Sequence, residues 1–197
     1  MSKKKDKSIK ICFLGDEGVG KKEFIENYLS KIDEKNKKKE KPDKNKPEGI
    51  VITKQIAETK MKISIYQFSE EDEKYINLIQ QTQCVFVLFD MSSRDSFDSL
   101  LDKWIIWLRE QCRFAGLVMI LGNYVKKEKD AFLSTNKEEI DEMIKVSEIS
   151  GRFEEIGNKT NEEKIQLIDM LINEAEEYGK KANLDSKKGD DKNCIIF

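Results

Sequence analysis

Histidine is absent from the 197 residues. That excludes Ser-His and Cys-His dyads, histidine-ligated zinc and any imidazole pH switch. Cysteine is sparse. Cys12, Cys84, Cys112 and Cys194 include no C-x-x-C pair, so neither a zinc cage nor a thioredoxin-type site is expected. An unpaired set of this kind suits a reducing compartment, and Cys12 and Cys84 lie in apolar runs where a buried thiol is the plain reading. Long hydrophobic runs are missing too. The longest, Cys84–Phe89 and Leu117–Leu121, fall far short of the roughly 20 residues of a membrane span. The N-terminal Met-Ser-Lys-Lys-Lys-Asp-Lys is followed by no signal-peptide core. Any tie to a membrane must therefore be attached. An excess of one charge is also lacking. Lys+Arg number 36 and Asp+Glu 38, a net charge of -2, which argues against a nucleic-acid partner.

What is present suits one domain with tails: 38% hydrophobic residues for a single core and 38% charged residues for loops and ends. Residues 1–7 read as a disordered basic arm, 8–182 as the domain and 183–197 as a flexible polar tail. Lys10–Leu14 reads as a buried strand, and Lys21–Lys31 as a helix burying Phe24, Ile25, Tyr28 and Leu29. Ile32–Lys46 is nearly all charged or amide residues, closed by Pro42 and Pro47, and reads as a long mobile loop. Gly49–Ala57 and Lys60–Phe68 form a hairpin at one side of a sheet, the second strand alternating Met61, Ile63, Ile65 against Lys62, Ser64, Tyr66. Glu73–Thr82 is a short helix. Cys84–Phe89 carries the unbroken apolar run of a central parallel strand. Ser93–Phe114 is a helix with Ser93 as N-cap and Phe97, Leu100, Leu101, Trp104, Ile105 and Leu108 on its core stripe. Ile106 and Trp107 lie off that stripe, as its flank or as a partner surface. Leu117–Leu121 and Arg152–Ile156 are strands, and Lys137–Val146 and Thr160–Lys181 helices. Alternating strands and helices imply an α/β sheet with helices on both faces.

Between the first strand and the first helix lies Gly15-Asp16-Glu17-Gly18-Val19-Gly20-Lys21-Lys22, which fits G-x-x-x-x-G-K. The glycines let backbone N–H groups turn around a phosphate, Lys21 adds a point charge, and the helix N-terminus adds its dipole. The candidate phosphate contacts are therefore Gly15, Gly18, Val19, Gly20, Lys21 and Lys22.

With Val-Phe-Val-Leu-Phe-Asp, Asp-Ser-Phe, Leu-Gly-Asn and Glu-Ile-Gly-Asn-Lys-Thr-Asn-Glu following in order, residues 8–180 resemble a Ras-superfamily small GTPase, with the greatest similarity to the Rab branch. The resemblance implies a P-loop GTPase fold: a six-stranded, mostly parallel sheet with five helices. It also implies GTP or GDP with magnesium at the strand ends, and effector proteins that read the switch loops. Base contacts fall on Asn123, Tyr124, Lys126, Asn158 and Lys159.

The sequence departs from the family in its chemistry. Lys22 stands where a Ser or Thr hydroxyl ligates magnesium, and an ammonium has no lone pair to offer. Gln67, Glu70 and Glu71 replace the aspartate, glycine and glutamine of the D-x-x-G-Q stretch. No glycine lies between Gly49 and Gly116, so no change of register restores that motif. Pro47 falls where the switch-one threonine belongs and offers neither hydroxyl nor N–H. Glu17 would face a triphosphate. Lys126 replaces the aspartate that accepts from the guanine ring, leaving two donors unpaired at a typical cost of about 1–3 kcal/mol each.

Three readings remain open. One is a Rab-like interaction protein with weak GTP/GDP binding, no need of magnesium and no useful hydrolysis, so that enzyme activity is in doubt. Another is an atypical, very slow GTP/GDP switch in which Lys22 replaces the metal's charge. The third is a P-loop binder of another nucleotide. Cys194-Ile195-Ile196-Phe197 matches C-a-a-X with geranylgeranyl preference, making Cys194 the candidate lipidation site. A single prenyl chain anchors marginally. The expected partners are thus a prenyltransferase, a prenyl-binding carrier and the cytosolic face of a membrane, with a cytoplasmic pool and a role in vesicle trafficking or signalling.

Overall fold

The computed structural model describes residues 7–42, 47–56, 59–125, 137–147, 149 and 151–190. Its strands are β1 (Lys7–Leu14), β2 (Lys37–Glu40), β3 (Gly49–Ile56), β4 (Thr59–Gln67), β5 (Cys84–Asp90), β6 (Leu117–Asn123) and β7 (Gly151–Glu155). They form one sheet in the order β2-β3-β4-β1-β5-β6-β7. β4, β1, β5, β6 and β7 run parallel, and β2 and β3 pair antiparallel. The helices are α1 (Lys21–Ser30), α2 (Ile76–Gln80), α3 (Arg94–Ser99), α4 (Lys137–Val146) and α5 (Asn161–Asp190). From Leu100–Ile105 through Trp107–Gln111, α3 continues with wider i to i+5 turns, and Cys112 N–H donates to Trp107 O at 2.9 Å.

The sheet has seven strands rather than six. The added strand is β2, which lies inside the segment expected to be a mobile loop. It pairs Lys37 with Ile52 and Glu40 with Gly49, after a 3-10 turn over Glu34–Asn36. The hairpin of β3 and β4 is therefore not the edge of the sheet; β2 is. Tyr66 Oη donates to Glu40 Oε2 at 2.7 Å and fastens the strand. α5 runs to Asp190, beyond the expected end at Lys181. Lys126 and Cys194 lie outside the described residues.

The apolar residues sort by strand alternation. Cys84, Phe86 and Leu88 of β5 face one core with α1 and α5, whereas Val85, Val87 and Phe89 face the other with α2, α3 and α4. This is why β5 reads as an unbroken apolar run. Met61, Ile63 and Ile65 of β4 join the first core and Tyr66 the second, as their alternation requires. The off-stripe pair on α3 divides: Trp107 is buried at 5% exposure and Ile106 is exposed at 38%. Ser93 caps α3 by accepting from Ser96 N–H at 3.2 Å.

Candidate functional site

The parallel strands β1, β5 and β6 deliver their C-terminal ends to one rim, the usual place for a ligand in an open α/β sheet. There β1 passes into Gly15–Gly20, and β6 ends at Asn123. Ile156 N–H donates to Gly122 O at 2.8 Å, which brings the segment after β7 to the same rim. The loop's shape depends on two glycines. Gly15 has φ 136°, and a Cβ there would strike Leu88 O. Gly20 has φ 93°, and its Cβ would strike the Asn123 amide. That amide donates from Nδ2 to Val19 O at 3.0 Å, joining the loop to β6.

A cavity of about 460 Å³ opens here. Of the candidate contacts it brings together Gly18, Gly20, Asn123, Tyr124 and Lys159. The Tyr124 ring packs directly on Gly157. Glu23, Glu26, Asn27, Asn161 and Lys164 also line it. The sequence reading passed over these five, although the i, i+3 and i+4 spacing of Glu23, Glu26 and Asn27 on α1 puts them on one helix face.

Other candidates sit elsewhere. Lys22 is exposed and lines a separate cleft with Gln67, Tyr66, Lys39 and Glu48. Asn158 donates from Nδ2 to Glu155 Oε1 at 2.7 Å on the surface, apart from the cavity lining. Glu17, expected to face a triphosphate, lines an adjoining cleft with Asp16, Asp90 and Asp95 instead. That placement follows from Gly18, which turns the loop between the two spaces and borders both.

Lys21 is buried at 5% exposure. Its Nζ donates to Gly15 O and Asp16 O, each at 2.6 Å. Burial pulls its pKa down to about 8, against the opposing charges of Asp16 and Glu17. Asp16 turns toward α3. Its Oδ1 accepts from Trp104 Nε1 at 3.1 Å and from Lys103 Nζ at 3.3 Å. Partial burial opposes its ionised form, but hydrogen bonds from Ser99, Trp104 and Lys103 prevail and set its pKa below the ordinary value.

The fit to magnesium is poor. Lys22 and Gln67 share a cleft, one a cation and the other a neutral amide, at the two positions that should hold the ion directly and through water. The fit to a nucleotide is better: a glycine-shaped loop, a helix N-terminus, a buried lysine and an aromatic face border one cavity.

No curated protein matches the chain. The model of the Ras family matches residues 10–177, from the first strand into the last helix. That span contains the whole rim, and on it the chain belongs to the Ras family.

Proposed function

We propose that this chain is a Rab-like protein acting through partner binding, with impaired guanine-nucleotide binding and little or no hydrolysis. The Ras family brings GTP or GDP as the expected ligand, with effectors and regulators as general partners. The observation that carries the reading is the cleft shared by Lys22 and Gln67. It supports loss of the metal, and with it loss of the charge neutralisation that phosphoryl transfer needs. Glu71 compounds this, because a carboxylate cannot donate as a glutamine amide does.

The finer parts of the proposal rest on the sequence. Cys194 is prenylated, which places the protein on the cytosolic face of a membrane with a pool held by a prenyl-binding carrier, in vesicle trafficking or signalling. Among the described residues no helix is long and apolar enough to cross a membrane. Effectors read the segments around Pro47 and Gln67–Glu71.

One assay decides the central claim. The purified protein is denatured, and released nucleotide is identified by chromatography. Far less than one nucleotide per chain is expected, and any affinity for a fluorescent GDP analogue should change less than tenfold with EDTA. Stoichiometric GDP or GTP with a tenfold or larger loss on chelation would instead support a working magnesium-dependent switch. The intact geometry of Gly15, Gly20 and Asn123 favours some residual nucleotide binding as the second reading.

A further inference from the structure

The cavity between the phosphate loop, Tyr124 and Lys159 has a charge layout that a triphosphate does not fit. We infer that it takes a nucleoside or nucleoside monophosphate, and that each further phosphate weakens binding. This inference rests on the reading of the cavity as a nucleotide site and gives that site its ligand class.

At one end the surroundings suit a base. Tyr124 presents an aromatic face beside Gly157, and the Asn123 amide is fixed by Val19 O at 3.0 Å. Stacking on such a ring tolerates any base, and no carboxylate among the described lining residues selects guanine at this end. The volume of about 460 Å³ falls within the range of small-molecule sites.

The loop end is different. Glu23, in the first turn of α1, and Glu26, one turn further, both line the cavity beside Gly18 and Gly20. Their carboxylates repel added phosphate charge. Glu17 and Asp16 add negative charge in the adjoining cleft across Gly18.

The cations that should offset this charge are committed elsewhere. Lys21 spends two of its three protons on Gly15 O and Asp16 O. Lys22 lines the other cleft, and Lys103 is paired with Asp16 at 3.3 Å. Lys159 and Lys164 do line the cavity, beside Asn161 at the start of α5, on the wall facing α1. What remains at the loop is the N-terminus of α1 and the third proton of Lys21. Those suit one phosphate, whereas a second and a third meet carboxylates with no matching cation.

Isothermal titration calorimetry on the purified full chain tests this. The probes are guanosine, GMP, GDP and GTP, with the adenine series in parallel, each with EDTA and again with magnesium. GDP should bind at least threefold more weakly than GMP, and GTP at least tenfold more weakly than GMP. The double variant Glu23→Gln, Glu26→Gln should flatten the series, tightening GTP most, with its fold checked by thermal unfolding. GTP or GDP binding more tightly than GMP overturns the inference and leaves the nucleotide cavity standing. Binding by no member of either series overturns both. An unchanged order in a folded double variant overturns the role given to the carboxylates.

Discussion

Lys21 is a cation packed where water cannot reach it, held by two carbonyl oxygens in place of a counter-ion. In the unfolded chain its ammonium titrates near the ordinary lysine value, roughly 10.4. In the fold it titrates near 8. Between these limits the unfolded chain holds a proton that the folded chain has released, so stability rises with pH across that window. Below pH 8 both states are protonated and the penalty for burying the charge is constant. Urea unfolding should show the parent gaining on the order of 2 kcal/mol relative to Lys21→Met between pH 8 and 10. A difference that stays flat over that range would mean Lys21 is better solvated than its geometry implies. Asp16 behaves in the opposite sense. Its lowered pKa means the stability it contributes is present above the ordinary carboxylate range and fades as pH falls through its folded value. Asp16→Ala removes the acceptor for the buried Trp104 N–H, and should cost about 1–2 kcal/mol in equilibrium unfolding at pH 7.

The elements most legible in the sequence are those with an apolar period. Phe97, Leu100, Trp104, Ile105 and Leu108 trace α3, all of them buried, and the run from Cys84 to Phe89 traces the strand between both cores. β2 could not be read in this way. Lys37-Lys38-Lys39-Glu40 has no apolar alternation, because an edge strand here meets solvent and pairs on one side only. What fastens it lies outside the strand: the Ile52 to Gly49 ladder and the hydroxyl of Tyr66. Burial raises the Tyr66 pKa, and the Glu40 carboxylate raises it further, so the phenol remains a donor throughout the physiological range. Tyr66→Phe should cost about 1 kcal/mol. Hydrogen exchange should show the amides of Lys37–Glu40 losing protection before those of β5. Equal protection in parent and variant would show that the ladder alone suffices.

At the scale of the whole molecule, one polar cluster joins elements far apart in the chain. Asp169 of α5 accepts from Tyr28 Oη of α1 at 2.8 Å and from Lys54 Nζ of β3 at 2.5 Å. Lys54 also lies 4.7 Å from the centre of the Tyr28 ring. The pair is only partly screened by solvent, so Asp169→Ala should cost about 2 kcal/mol, and Asp169→Asn about half of that. A thermal shift within a degree of the parent for both would deny the cluster a structural role. No such long-range pairing is visible in a sequence, where Tyr28, Lys54 and Asp169 are ordinary surface-compatible residues. The same limit applies at the rim. The G-x-x-x-x-G-K spacing located the loop, and Asn123, Tyr124 and Lys159 were found by pattern. Which side chains turn into the cavity depended on the helix face of Glu23 and Glu26 and on the turn at Gly18.

The contact between Trp104 and Asp16 also gives the molecule an internal optical gauge. Both tryptophans lie on one helix, 6.2 Å apart between ring centres, and the indole N–H of Trp104 is bonded to the phosphate loop itself. Indole absorption and emission respond to the charge and hydrogen bonding at that nitrogen. Any ligand or partner that draws Asp16 away will therefore change the near-ultraviolet spectrum of an unlabelled sample. Loop movement becomes measurable in real time without a fluorescent nucleotide, whatever the cavity holds.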